Sequence, residues 1–135
     1  MTTTETPFLS PSSPLADREQ ARKAAVPLVM AVATSKGSYP EHSLAVANLS
    51  RAVGVELALG EEALLVLALG ALLHDVGKFI VSDAILEKPG PLTEEEWKVV
   101  KRHPEVGARM IEPLEILSGG VAVVRHHQER PDGTG

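Results

Sequence analysis

An all-α domain is what this sequence predicts, on three observations. The apolar content, 44% of 135 residues, comes from Leu, Val and Ala, whereas aromatic residues are only 3%. That composition suits close helix packing better than β-sandwich strands, which favour aromatic and β-branched side chains. Apolar residues also recur at three- and four-residue spacing behind recognisable helix starts, and no alternating strand pattern of useful length occurs. The length suits one domain with its own core and is short for two.

The elements follow in order. Met1 to Ser13 is rich in Thr, Ser and Pro and is expected to be a flexible tail, without the basic start or apolar centre of a secretory signal. Residues 14–37 are expected to form a leading helix or linker: Ser13-Pro14 resembles an N-cap with proline at the first helical position, and Pro27 should kink or split the helix. The functional domain is expected at 38–135. Ser38 and Glu41 have capping-box spacing, and the helix behind them should run to about Val53-Gly54. His42, Val46, Leu49 and Val53 share one face of it, so His42 is expected to face the core.

Glu61-Glu62 opens a further helix with acidic residues favourably placed against the helix dipole, and Leu64, Leu67, Ala68 and Ala71 lead along it to His74 and Asp75. Gly77 should let the backbone turn, and Asp83 to Gly90 reads as an irregular passage. Thr93 to Glu96 is a second capping box, opening a helix with Trp97, Val99 and Val100 on its apolar side and His103 at its end. Pro104 should start another helix reaching Ile111, and a last apolar segment, Ile116 to Val124, delivers Arg125-His126-His127-Gln128.

Charge and composition exclude several functions. A net charge of -5 and a pI near 5.5 argue against binding long nucleic acid through the overall field. With no cysteine there are no disulfides, thiolate chemistry or cysteine-ligated zinc, and a reducing, cytoplasmic location is expected. The apolar run Ala63 to Leu73 is shorter than the roughly 20 residues of a membrane span, so none is expected in this chain.

The chemistry lies in the histidines. His42, His74, His103, His126 and His127 each fall on the inner face or at the end of an apolar helix, and Asp75 adjoins His74. A single histidine there is ordinarily a hydrogen-bonded core residue or a helix-end cap. Five such imidazoles and a carboxylate converging on one core are costly unless they bind metal. Asp75, with two oxygens, is suited to bridge two divalent cations that activate water for attack on a phosphoester. Lys78, three positions on, is placed to meet a phosphate.

The order of motifs is specific. His42-Ser43, Leu72-Leu73-His74-Asp75-Val76-Gly77-Lys78, Leu86-Glu87-Lys88-Pro89-Gly90-Pro91-Leu92-Thr93, Glu96-Trp97, His103-Pro104, Gly107 and His127-Gln128-Glu129-Arg130-Pro131-Asp132-Gly133-Thr134-Gly135 together closely resemble the HD-GYP branch of the HD-superfamily phosphohydrolases. The resemblance spans Tyr39 to Gly135. It implies an HD-domain helical bundle that hydrolyses cyclic di-GMP to pGpG or GMP through a hydroxide bridging two divalent metal ions, iron or manganese. By position it implies His42, His74, Asp75, His103 and His127 as metal ligands, Asp75 and Lys78 as catalytic residues, and Lys78, Asp132 and Gly133 as substrate-binding residues. Related readings are another HD-superfamily phosphohydrolase, or a catalytically silent regulatory module that binds a partner such as a diguanylate cyclase domain.

Three departures from the family pattern bear on the site. Gln128 stands where the family has a second histidine, and its neutral amide is a poorer ligand than imidazole, so His126 and Gln128 are expected as auxiliary ligands at most. Ser38 stands where three-metal members have a glutamate, which favours two metals. The sequence ends within the signature loop, before the family's Tyr-Pro and a later aspartate ligand, so the C-terminal part of the bundle is expected to be missing.

Overall fold

A proline near a helix start costs no hydrogen bond, because the first four N–H groups have no partner within the helix. Pro40 exploits this at the head of α1 (Tyr39–Glu56). The computed structural model describes residues 39–114 and 117–135, with Lys23 and Pro27, both helical. The expected tail, most of the leading helix, and Ser38 with its capping box lie outside the described residues.

The core-facing side of α1 differs from the one the apolar spacing suggests. Ser43, Ala47 and Gly54 are buried, whereas His42 is exposed, and Leu49 and Val53 keep 68% and 51% of their surface in solvent. The reason is close packing through small residues: a methyl group on Gly54 would lie 2.7 Å from Leu64 Cδ2 and 3.2 Å from Leu67 Cδ2 on the next helix. Small side chains let α1 approach α2 (Glu61–Leu73), and the bulkier apolar stripe is displaced to the flank. Between them the chain closes α1 with a Schellman motif, Leu59 N bonding Gly54 O and Ala58 N bonding Val55 O. Ala58 occupies the left-handed position, φ 55°, normally given to glycine, at a cost of about 1 kcal/mol.

Helix α2 is followed by a 3-10 helix, Val76–Ile80, then the one-turn α3 (Asp83–Leu86) in the stretch expected to be irregular. The segment Glu61–Ile80 is long and apolar enough to cross a membrane by length and composition alone. Its α-helix nevertheless stops at Leu73, and its second half carries His74, Asp75 and Lys78 into a polar cluster. The second capping box forms as expected at α4 (Glu94–Val100): Glu96 N donates to Thr93 Oγ1 at 3.2 Å, and Thr93 N to Glu96 Oε2 at 2.7 Å. Trp97, expected on the apolar side, is 48% exposed, and Val99 and Val100 are half-buried.

His103 opens α5 (His103–Ile111), with Pro104 in its first turn, rather than ending α4. The last helix, α6 (Ser118–His126), runs back along α2 and α5. Leu73, Val76, Ala108, Ile111, Leu117 and Val124 form the buried core, with Leu69, Leu114 and Val121 packed on it. No strand occurs among the described residues, and the architecture is all-α. Three of these core residues, Leu73, Val76 and Val124, lie within three positions of His74, Asp75 or His127, so packing the core also gathers the polar residues.

Candidate metal centre

Helix ends place each donor. His74 is the C-cap residue of α2, Asp75 precedes the 3-10 helix, His103 begins α5, and His127 caps the C-terminus of α6. His42 projects from the first turns of α1, its ring centroid 5.3 Å from that of His74. Two groups result, His42–His74–Asp75 and Asp75–His103–His127, in each of which the donor atoms lie within 4.8 Å of one another. Asp75 belongs to both.

The tautomers follow from the backbone. Nδ1 of His74 lies 2.6 Å from the Ala71 carbonyl, Nδ1 of His103 2.6 Å from Val100 O, and Nδ1 of His127 2.8 Å from Val124 O. A carbonyl only accepts, so each Nδ1 carries the hydrogen and, in the neutral ring, each Nε2 presents a lone pair. Those three Nε2 atoms converge on one carboxylate: His103 Nε2 and His127 Nε2 are 3.2 and 3.6 Å from Asp75 Oδ1, and His74 Nε2 is 3.3 Å from Oδ2. His103 Nε2 and His127 Nε2 are only 3.1 Å apart, so at most one proton fits between them.

Asp75 has a side chain only 8% exposed, and its Oδ1 is a buried oxygen without a well-formed hydrogen bond. Lone pairs and a carboxylate facing one another in a buried space call for a cation, and fixing each imidazole through an Nδ1 hydrogen bond is how protein metal sites orient histidine. The residues present therefore fit a divalent metal. Burial opposes ionisation of Asp75, but His103, His127, His74 and Lys78 around it hold its carboxyl far below the ordinary carboxylate range. Burial likewise pushes His74 down, yet its bonds to Asp75 and the Ala71 carbonyl outweigh this and leave its pKa raised.

Lys78 donates to Asp75 Oδ2 at 2.7 Å. The pairing follows from the 3-10 geometry, in which residues three apart eclipse one another, rather than from the α-helical turn that the spacing suggests. The structure does not bring every expected residue into the cluster. His126 is exposed and in neither group, and Gln128 is exposed on the next turn. Asp132 and Gly133 lie in an exposed turn, where Gly133 has φ 74° and Asp132 Oδ1 accepts from Thr134 N and Oγ1 at 3.1 and 2.8 Å. Ser43, notable in the sequence only as the neighbour of His42, is the buried polar residue on α1 at 2% exposure. Its burial follows from the small-residue face, for which apolar periodicity gives no signal.

The HD domain family model matches residues 39–134. A cyclic di-GMP phosphodiesterase of Pseudomonas aeruginosa is 46% identical over 95 residues, covering 70% of this chain and 23% of the relative. A cyclic di-GMP phosphodiesterase response regulator of Xanthomonas campestris pv. campestris is 42% identical over 86 residues, 62% of this chain and 22% of the relative. A 3′3′-cGAMP-specific phosphodiesterase of Vibrio cholerae is 37% identical over 94 residues, 70% of this chain and 20% of the relative. The chain thus spans only about a quarter of the curated relatives it matches or less.

Proposed function

This chain belongs to the HD domain family, and from that premise we propose that it carries the metal-binding residues of a phosphodiesterase that opens cyclic di-GMP to the linear dinucleotide. The observation that carries the reading is Asp75: one ionised, buried carboxylate shared by two three-residue ligand groups. Such an arrangement suits a pair of divalent ions, and imidazole and carboxylate donors without thiolate suit iron or manganese. Ions held there supply Lewis acidity toward a phosphoryl oxygen and lower the pKa of water.

The remaining work falls to the chain's own residues. His74, His103 and His127 are held by backbone carbonyls in the tautomer that turns Nε2 toward the site, so no change of tautomer is needed on binding. Asp75 supplies the negative charge that keeps cations in the site. Lys78, 24% exposed and bonded to Asp75 Oδ2, places an ammonium at the rim, where it meets a substrate phosphate. In this reading the exposed Asp132-Gly133 turn, which follows His127 in the chain, contacts the rest of the dinucleotide.

Cyclic di-GMP is favoured because two of the relatives named above act on it, while a third acts on 3′3′-cGAMP, another cyclic dinucleotide. The test is hydrolysis by Mn²⁺-loaded protein of cyclic di-GMP, 3′3′-cGAMP and a simple phosphodiester, with products separated by chromatography. Linear pGpG, appearing faster than the product from 3′3′-cGAMP and lost on chelation, is the expected result. Hydrolysis of the simple diester alone would point to another HD-superfamily phosphohydrolase. Bound metal with no hydrolysis of any of the three would point to a silent module that docks a partner such as a diguanylate cyclase domain.

A further inference from the structure

The sequence suggests that Gly77 permits a turn, yet its backbone lies outside the left-handed region, so conformational freedom does not explain it. Space does. A methyl group on Gly77 would overlap the His103 carbonyl oxygen and lie 2.6 Å from Gly107 N and 2.7 Å from the His103 carbonyl carbon. These obstacles are backbone atoms, which cannot rotate away as a side chain can. From the other side, a methyl group on Gly107 would lie 3.0 Å from Gly77 N and 3.0 Å from Val124 Cγ1. The 3-10 helix and the first turns of α5 thus touch backbone to backbone.

This contact joins the stretch that carries Asp75, two positions before Gly77, to the first turn of α5, where His103 stands. His42, His74 and Asp75 come from α1, the end of α2 and the residue after it, all on one side of the contact. His103 begins α5 on the other side, whereas α6, which His127 caps, packs on both α2 and α5, so that the His127 ring lies 5.0 Å from that of His74 and 5.0 Å from that of His103. Together with the shared core, the approach of Gly77 to His103 and Gly107 holds His103 Nε2 3.2 Å from Asp75 Oδ1. Metal–ligand distances tolerate only about 0.2 Å. Relieving a 2.6 Å contact to an ordinary one of at least 3.4 Å moves the backbones apart by more than that.

We propose that Gly77 and Gly107 are positioning residues that set the distance of His103 from Asp75, so that a methyl group at either weakens the ion held by Asp75, His103 and His127 and spares the one held by His42, His74 and Asp75. The proposal rests on the two-ion reading above and adds which residues make the pair of sites possible. Its test is Mn²⁺ stoichiometry and electron paramagnetic resonance on the wild-type chain, Gly77→Ala, Gly107→Ala and Gly60→Ala, with helicity followed by circular dichroism. Gly60 is the control, because a methyl group there meets nothing within 4 Å.

Wild type and Gly60→Ala should bind two Mn²⁺ and give an exchange-coupled spectrum. Gly77→Ala should keep one Mn²⁺ with the six-line spectrum of an isolated ion, the second binding at least about tenfold more weakly. If Gly77→Ala does not fold, Gly107→Ala, with its looser 3.0 Å contacts, decides by the same readout. A folded glycine variant that keeps the coupled pair, or loses both ions together, overturns the proposal while leaving the two-ion reading intact. Wild-type protein that binds no pair overturns that reading first, and the proposal with it.

Discussion

Replacing Asp75 with alanine is expected to abolish the proposed phosphodiester hydrolysis, a loss of at least about a thousandfold, and to remove both of the proposed metal ions rather than one. The expectation follows from the sharing of this carboxylate. Each histidine contributes one neutral lone pair to one group, so removing His42 or His127 leaves the other group with three donors. Asp75 stands in both, and its is the buried negative charge of the cluster. Without it, three imidazole nitrogens face one another with nothing anionic to offset a divalent charge. Activity and metal content measured on the same preparation check this, with circular dichroism to separate loss of metal from loss of fold. Turnover within tenfold of wild type in Asp75→Ala would remove the assignment.

Leu73→Ala is expected to lower unfolding stability by about 2–5 kcal/mol, and the melting temperature by on the order of 10 °C or more. Leu73 is fully buried, in contact with the α5 and α6 core residues, and is the last residue of α2 before His74. Removing its side chain leaves a cavity in the core cluster that the end of α2 shares with the 3-10 helix, α5 and α6, the elements that carry the ligands. Urea unfolding of the metal-free protein gives the stability term, and Mn²⁺ affinity of the folded variant gives the coupling. A loss below about 1 kcal/mol would mean that the core is not anchored there.

Much of this was legible in the sequence, and the parts that were not share a cause. The helices behind Glu61 and Thr93 and the last apolar segment appear close to where their caps and spacing place them, because those signals are local. The cost of gathering imidazoles and a carboxylate without an ion to share pointed to all five histidines, His126 included, whereas the set that the structure groups, His42, His74, Asp75, His103 and His127, is the one implied by the family resemblance. The packing face of α1 was not. Apolar spacing selects large side chains, whereas α1 docks through Ser43, Ala47 and Gly54, and helix approach depends on what the partner presents. The same blindness hid the role of Gly77, since a glycine needed for backbone contact looks like one needed for a turn. Lys78 reaches Asp75 through a 3-10 helix that spacing alone does not distinguish from an α-helix.

Anomalous diffraction from crystals of the protein soaked in Mn²⁺ tests the central claim most directly. Two manganese peaks roughly 3.5–4 Å apart are predicted, with Asp75 between them, His42 and His74 on one and His103 and His127 on the other. Manganese bound away from Asp75, or no manganese at all in crystals whose five side chains hold these positions, would contradict it.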